Sequence, residues 1–203
     1  MMNRTSARIG RVSSLILLAL LVSGQAFAMT FDFTGSSSEN ALGLATGNLG
    51  DSLTLTAGDL TVSVRAFDDR GEQGEIHRGA NGLGVYGDPN NNAVGEPESL
   101  RFSFSDSAVS VSSLIFERGA DNGRLDLFID GQFAETIQWM TGGGTMVEHA
   151  LGDAPGKVFE LLGDRRSFRV SRLTAAASAI PEPSAALLFG AGALVVSRAT
   201  RRR

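Results

Sequence analysis

Between residues 29 and 180, apolar and polar side chains alternate with a period of two in one stretch after another. Leu53-Thr54-Leu55, Leu60-Thr61-Val62-Ser63-Val64-Arg65-Ala66 and Leu100-Arg101-Phe102-Ser103-Phe104 keep strict phase. Val109-Ser110-Val111 does the same, then shifts phase to Leu114 and Phe116 across Ser112-Ser113, which predicts a β-bulge. Leu125 to Ile129 forms a further run, and Asp130-Gly131 after it predicts a tight hairpin turn leading to Phe133 and Ile137. Val158 to Leu162 and Phe168-Arg169-Val170 supply the last strands. A strand of this pattern puts its large apolar side chains on one face, as an antiparallel sheet with one buried side requires. Short strands separated by Gly, Asn and Asp predict two packed sheets: an all-β, antiparallel β-sandwich, jelly-roll-like. Phe102, Phe104, Phe116, Phe133, Phe159 and Phe168 are its expected core.

The two ends break this alternation. Arg4, Arg8 and Arg11 precede an apolar run from Val12 to Val22, unbroken from Leu15 on, followed by small residues at Ala26 and Ala28. A basic stretch, a short apolar helix and a small-residue cleavage site make a secretory signal, with the cut after Ala28 by signal peptidase. The run is too short to span about 30 Å of hydrocarbon as an ordinary anchor. At the other end an Ala-rich stretch from Thr174 to Ile180 reads as a linker. Pro181-Glu182-Pro183, an apolar segment from Ala185 to Val196 and a basic tail (Arg198, Arg201, Arg202, Arg203) follow it. The prolines stop a helix from running back into the sheet domain, and the arginines act as a membrane stop on the cytoplasmic side. The expected organisation is therefore a signal peptide over 1–28, a β-sandwich over 29–173, a linker over 174–180 and a hydrophobic C-terminal helix within 181–203.

Charge sharpens the division. The chain carries a formal −4 overall, but residues 29–180 hold 21 acidic and 11 basic side chains, and Lys157 is their sole lysine. A module at −10 argues against nucleic acid, which demands clustered Lys and Arg. Cysteine is absent, so disulfides, thiolate metal sites and a cysteine nucleophile are excluded.

The order Pro181-Glu182-Pro183, Ala/Leu/Gly/Val-rich segment and arginine cluster resembles the PEP-CTERM sorting signal of Gram-negative bacteria. That resemblance implies transient insertion in the inner membrane and recognition by an exosortase-like membrane protease. It also implies delivery to the outer surface or to an extracellular matrix associated with exopolysaccharide and biofilm. Within the middle, Gly82-Leu83-Gly84-Val85-Tyr86, Glu98-Ser99-Leu100-Arg101-Phe102-Ser103-Phe104, Leu114-Ile115-Phe116 and Asp130-Gly131 resemble a pattern of exosortase-dependent surface proteins. It implies a β-sandwich and carries no biochemical activity with it.

Candidate chemistry is sparse. Asp88, Asn90, Asn92, Glu96 and Glu98 gather hard oxygen donors of the kind Ca2+ prefers. The first three fit an EF-hand loop, but Ala93 stands where that loop needs Gly and Ser99 where it needs Glu; a plain Asn/Pro turn is the alternative. Asp121-Asn122-Gly123 reads as a turn. His77 and His149 lie in no nucleophile motif and read as surface or loop residues. Carboxylates are plentiful, and no pair stands out for acid–base work. Tyr86 and Trp139, the sole Tyr and Trp, adjoin Gly-rich segments and are candidate sugar platforms, with a buried Trp as the alternative. The expected function is a non-enzymatic surface or matrix protein, a binding or structural module linked to exopolysaccharide with polysaccharide or Ca2+ as candidate ligands; the alternative is a secreted β-sandwich hydrolase or lyase acting on exopolysaccharide.

Overall fold

The computed structural model describes residues 27–35, 42–86, 92–105, 109–119, 122–140 and 145–177. The expectations for Ala26, the signal run, Pro181, Glu182, Pro183 and the arginine tail lie outside these residues, as do both terminal helices. Among the described residues there are thirteen strands and no helix. They are β1 (Ala28–Asp32), β2 (Gly47–Gly50), β3 (Ser52–Ala57), β4 (Leu60–Phe67), β5 (Gln73–Gly79), β6 (Gly82–Tyr86) and β7 (Ser99–Phe104). β8 (Val109–Arg118), β9 (Gly123–Ile129), β10 (Gln132–Trp139), β11 (Met146–Gly156), β12 (Val158–Arg165) and β13 (Phe168–Ala177) complete the set.

The fold is all-β and antiparallel, as the alternation predicts. Its strand order is β10-β9-β12-β7-β4-β5-β6-β13-β8-β11, with β1 on β13, β2 on β5 and β3 on β4. Two layers face each other. The front layer holds β10, β9, β12, β7, β4 and β3; the back layer holds β2, β5, β6, β13, β8, β11 and β1. In place of two separate sheets, β5 joins the layers: Gln73 and Gly74 pair with β4, and Glu75 to Gly79 pair with β6. The free ends of this ribbon, β10 and β11, also approach one another. His149 Nε2 stands 3.1 Å from Glu135 Oε2, without hydrogen-bond geometry. The arrangement is a sandwich bent nearly into a barrel.

Phenylalanine fills the space between the layers. Phe31 and Phe33 from the back meet Phe104 and Phe102 from the front at ring separations of 6.2 and 6.1 Å. Phe116, Trp139 and Phe168 form a second aromatic cluster. Full burial of each such ring stabilises by about 2 kcal/mol, and with no disulfide this burial carries the fold. Phe133 departs from the expected core and is 58% exposed. The register of β10 against β9 slips between Phe133 and Glu135. One extra residue there inverts the alternation, so Ile137 and Trp139 point inward while Phe133 points out. The bulge expected at Ser112-Ser113 is present, since Ser113 and Val111 oppose adjacent residues Thr174 and Ala175.

Residues 174–177, expected as linker, are instead the end of β13, between β8 and β1. Ala175 is fully buried there, because its short side chain fits where two strands close in. Ala28, expected at the cut, pairs with Ala176. Pro155 sits on β11, the last strand of the order, where a missing N–H costs no ladder bond on the open side.

Two arginines are buried among the described residues, Arg118 and, more completely, Arg78. Arg78 has no exposed surface. Its Nε donates to Phe33 O at 3.0 Å, Nη1 to Leu44 O at 2.8 Å, and Nη2 to Thr34 O and Gly35 O at 3.0 and 2.8 Å. Burial pulls its pKa below the ordinary arginine value, with nearby Asp32 opposing. The planar fork ties the turn after β1 to Leu44, satisfying carbonyls that no strand pairs.

Candidate functional site

The outer face of the front layer is the most built surface among the described residues. Registers across six strands place Ser52 (β3), Arg65 (β4), Arg101 (β7), Glu160 (β12), Phe128 (β9) and Phe133 (β10) side by side in one row. With strands about 4.8 Å apart, that row is on the order of 24 Å long. A parallel row of Thr54, Ser63, Ser103 and Val158 lies beside it. Between them runs an open groove of about 760 Å3, lined by Ser63, Arg65, Arg101, Ser103, Val158 and Glu160 and walled by the Asp130-Gly131 turn.

Alternation dictates these contents. Every second residue of β4, β7 and β12 is core, which leaves Ser, Arg and Glu for the outside. The turn is fixed by positive φ at Asp130 (51°) and Gly131 (78°). Asp130 Oδ1 accepts from the backbone N–H of Lys157 and Val158 at 3.0 and 2.8 Å, which holds the wall against β12.

Inside the groove the charges are partly committed. Glu160 Oε2 accepts from Arg101 Nε and Nη2 at 3.1 and 2.9 Å, and Oε1 accepts from Ser99 Oγ at 2.8 Å. The Arg101 guanidinium also lies 4.3 Å over the Phe67 ring, a cation–π contact. Arg65, directly opposite Arg101, is exposed and has no carboxylate partner among the described residues. At the far end of the row, Phe133 packs edge-on against half-buried Phe128 at 5.8 Å and leaves much of its ring to solvent. The face thus offers apolar ring surface, hydroxyls and a fixed cation along one line.

The residues singled out from sequence lie elsewhere. Trp139 is 5% exposed, wedged against Phe116 and Phe168, and is no platform. Gly123 makes room for it: a Cβ there would sit 2.3 Å from the indole ring. Tyr86 is half-exposed at the end of β6 in the back layer, stacked on His77 at 6.2 Å. Both histidines are on strands, half-buried, and neither is a loop residue. Burial first, and the Arg169 charge second, push the His77 pKa below the usual histidine value. Its Nδ1 is enclosed without a hydrogen-bond partner.

Of the expected Ca2+ ligands, Asp88 and Asn90 lie outside the described residues. Asn92 adopts a positive φ of 44°, Glu96 is exposed, and Glu98 Oε2 accepts from Gly95 N at 2.7 Å. Glu98 is thus spent on capping its own loop. Among the described residues no group of three or more His, Asp or Glu side chains is arranged to hold a metal ion.

No protein-family model and no curated protein matches the sequence. Among solved structures the chain is similar to a family 29 carbohydrate-binding module, at 14% identity, covering 76% of this chain and 89% of that one, with a TM-score of 0.33. A variant of that module complexed with mannohexaose gives 15% identity, 76% and 95% coverage and a TM-score of 0.32. At TM-scores this low, the likeness carries neither a fold family nor a ligand across to this chain.

Proposed function

We propose that this chain is a non-enzymatic binding module whose front outer face holds an extended polysaccharide. The observation that carries the reading is the six-strand row, which sets an exposed aromatic ring on the same open face as the hydroxyls and fixed hydrogen-bonding charges of the groove. Sugar rings present apolar C–H faces to aromatic side chains and hydroxyls to polar ones, and an open groove admits a chain. The carboxylates of the groove are occupied: Glu160 by Ser99 and Arg101, Asp130 by two backbone amides. Glycoside hydrolysis instead needs two carboxyl groups free to act across a bond.

The test is affinity electrophoresis of the purified protein against a panel of soluble polysaccharides. Retardation without product release, weakened about fivefold to tenfold by F133A through loss of one ring contact, is expected. Product accumulating at catalytic turnover, or no retardation by any polymer, overturns the reading.

The same proposal includes export: a signal removed after Ala28, sorting through Pro181-Glu182-Pro183 by an exosortase-like protease, and residence at the outer surface or in the matrix. The order of motif, apolar segment and arginine cluster supports it. Intact mass of the surface-associated protein is expected to lack both ends; the full-length chain in the cytosol would refute it.

A further inference from the structure

We infer that Arg65 and Arg101 form an anion subsite, so that the polysaccharide taken by the front face bears acidic groups, carboxylate or sulfate ester. This rests on the binding reading above and narrows it.

The pair is unusual on physical grounds. Arg65 and Arg101 are directly opposed on adjacent antiparallel strands, where side-chain roots stand about 5 Å apart and like charges repel. Glu160 neutralises Arg101 from the other side. The neighbour of Arg65 on β3 is Ser52, which brings no compensating charge. Asp130 balances the groove's formal charge from its wall, where the Lys157 and Val158 amides hold it, so Arg65 is the groove guanidinium with no carboxylate in ion-pair contact among the described residues.

The surroundings complete a site for an oxyanion. Ser63 and Ser103, opposed to each other in the next row, supply hydroxyl donors beside the two guanidinium groups. Arg101 is held through Nε and Nη2 by Glu160 and by Phe67 beneath it, so the remaining Nη1 side of its guanidinium is pre-positioned. Guanidinium matches carboxylate and sulfate oxygens in pairs, which a lysine does not. The acidic remainder of the domain does not prevent approach, because charges beyond about 8 Å are screened at physiological salt while a direct contact is not. Phe128 and Phe133 lie on the same row two and three strands beyond Arg101, respectively. A chain stacked on the ring at one end therefore brings a later residue's acid group to the arginines.

The experiment compares polygalacturonate, dextran sulfate, neutral dextran and neutral mannan on the full chain, with R65Q and R65K beside the native protein. Expected is binding to at least one acidic polymer that weakens with added salt, falls about tenfold or more in R65Q and is partly kept in R65K. Polygalacturonate against dextran sulfate tells carboxylate from sulfate. Melting temperature of R65Q within a degree or two of native shows that a loss is not unfolding. Neutral polymers bound as tightly as acidic ones, or acidic binding indifferent to R65Q, overturn the anion subsite while leaving the binding reading intact. Retardation by none of the four overturns both.

Discussion

The two layers carry arginine differently. In the back layer each guanidinium has found its own chain. Arg78 holds four carbonyls in the core, Arg172 Nε donates to Asp32 Oδ2 at 2.7 Å, and Arg169 Nη1 donates to Glu117 Oε2 at 3.1 Å. A threonine pair, Thr30 and Thr174 at 3.2 Å, adds to this. Loop residues 92–93 then cross the same layer so closely that a Cβ on Gly84 would stand 2.3 Å from Asn92 O. In the front layer the polar row is open, and Arg65 faces another arginine. The difference teaches that one period-two pattern can build a closed surface or an open one. The sign of the cross-strand neighbour decides which. Polar groups of the back layer serve stability; the surplus on the front is available to a ligand.

Three substitutions test that contrast, from the largest effect on stability to the smallest. R78L should cost about 3–5 kcal/mol, because it strands buried carbonyls that lose a charged donor. Urea denaturation measures it, and a loss under 1 kcal/mol would mean that water replaces the guanidinium.

D32N comes next. Burial by itself would raise the Asp32 carboxyl, but the hydrogen bonds from Thr34 Oγ1 and N and the Arg172 guanidinium outweigh it, and the net pKa is below the ordinary value. A depressed folded pKa contributes stability above the ordinary carboxylate range of about 4, and that stability disappears as pH falls through the folded value. The native protein should therefore exceed D32N by about 0.5–1 kcal/mol at pH 7, a figure reduced for partial exposure. The gap should close as pH is taken below about 4. A gap that is constant with pH would assign the effect to packing instead.

R65Q should change stability by less than about 0.5 kcal/mol, as for an exposed side chain with no ion-pair partner among the described residues. A rise in stability would report relief of the Arg65–Arg101 repulsion and sharpen the contrast. A large loss would break it, by showing that Arg65 serves the fold.

Much of the fold was legible in the sequence. Strands at 53–55, 60–66, 100–104, 109–116, 125–129, 158–162 and 168–170 all fall within observed strands. The Asp130-Gly131 turn and the bulge at Ser112-Ser113 are where local chemistry puts them. β1, β2, β5, β6 and β11 escaped, since short or Gly-rich and charged runs such as Gln73–Gly79 have little apolar alternation to read. The candidate site was not legible. Tyr86 and Trp139 stood out as rare aromatics, yet the exposed ring on the front face is Phe133, which looked like core.

What the chain alone determines is which residues share a side of each strand, because side chains alternate along a pleated backbone whatever its partners. Which strands lie next to each other is a long-range matter. Ser52, Arg65, Arg101, Phe128, Phe133 and Glu160 are scattered over more than a hundred residues of chain and meet only through the order β3-β4-β7-β12-β9-β10. A single-residue slip in β10 then turns Phe133 outward onto that row. Register and strand order come from packing the whole core at once, so the face they create exists only in three dimensions.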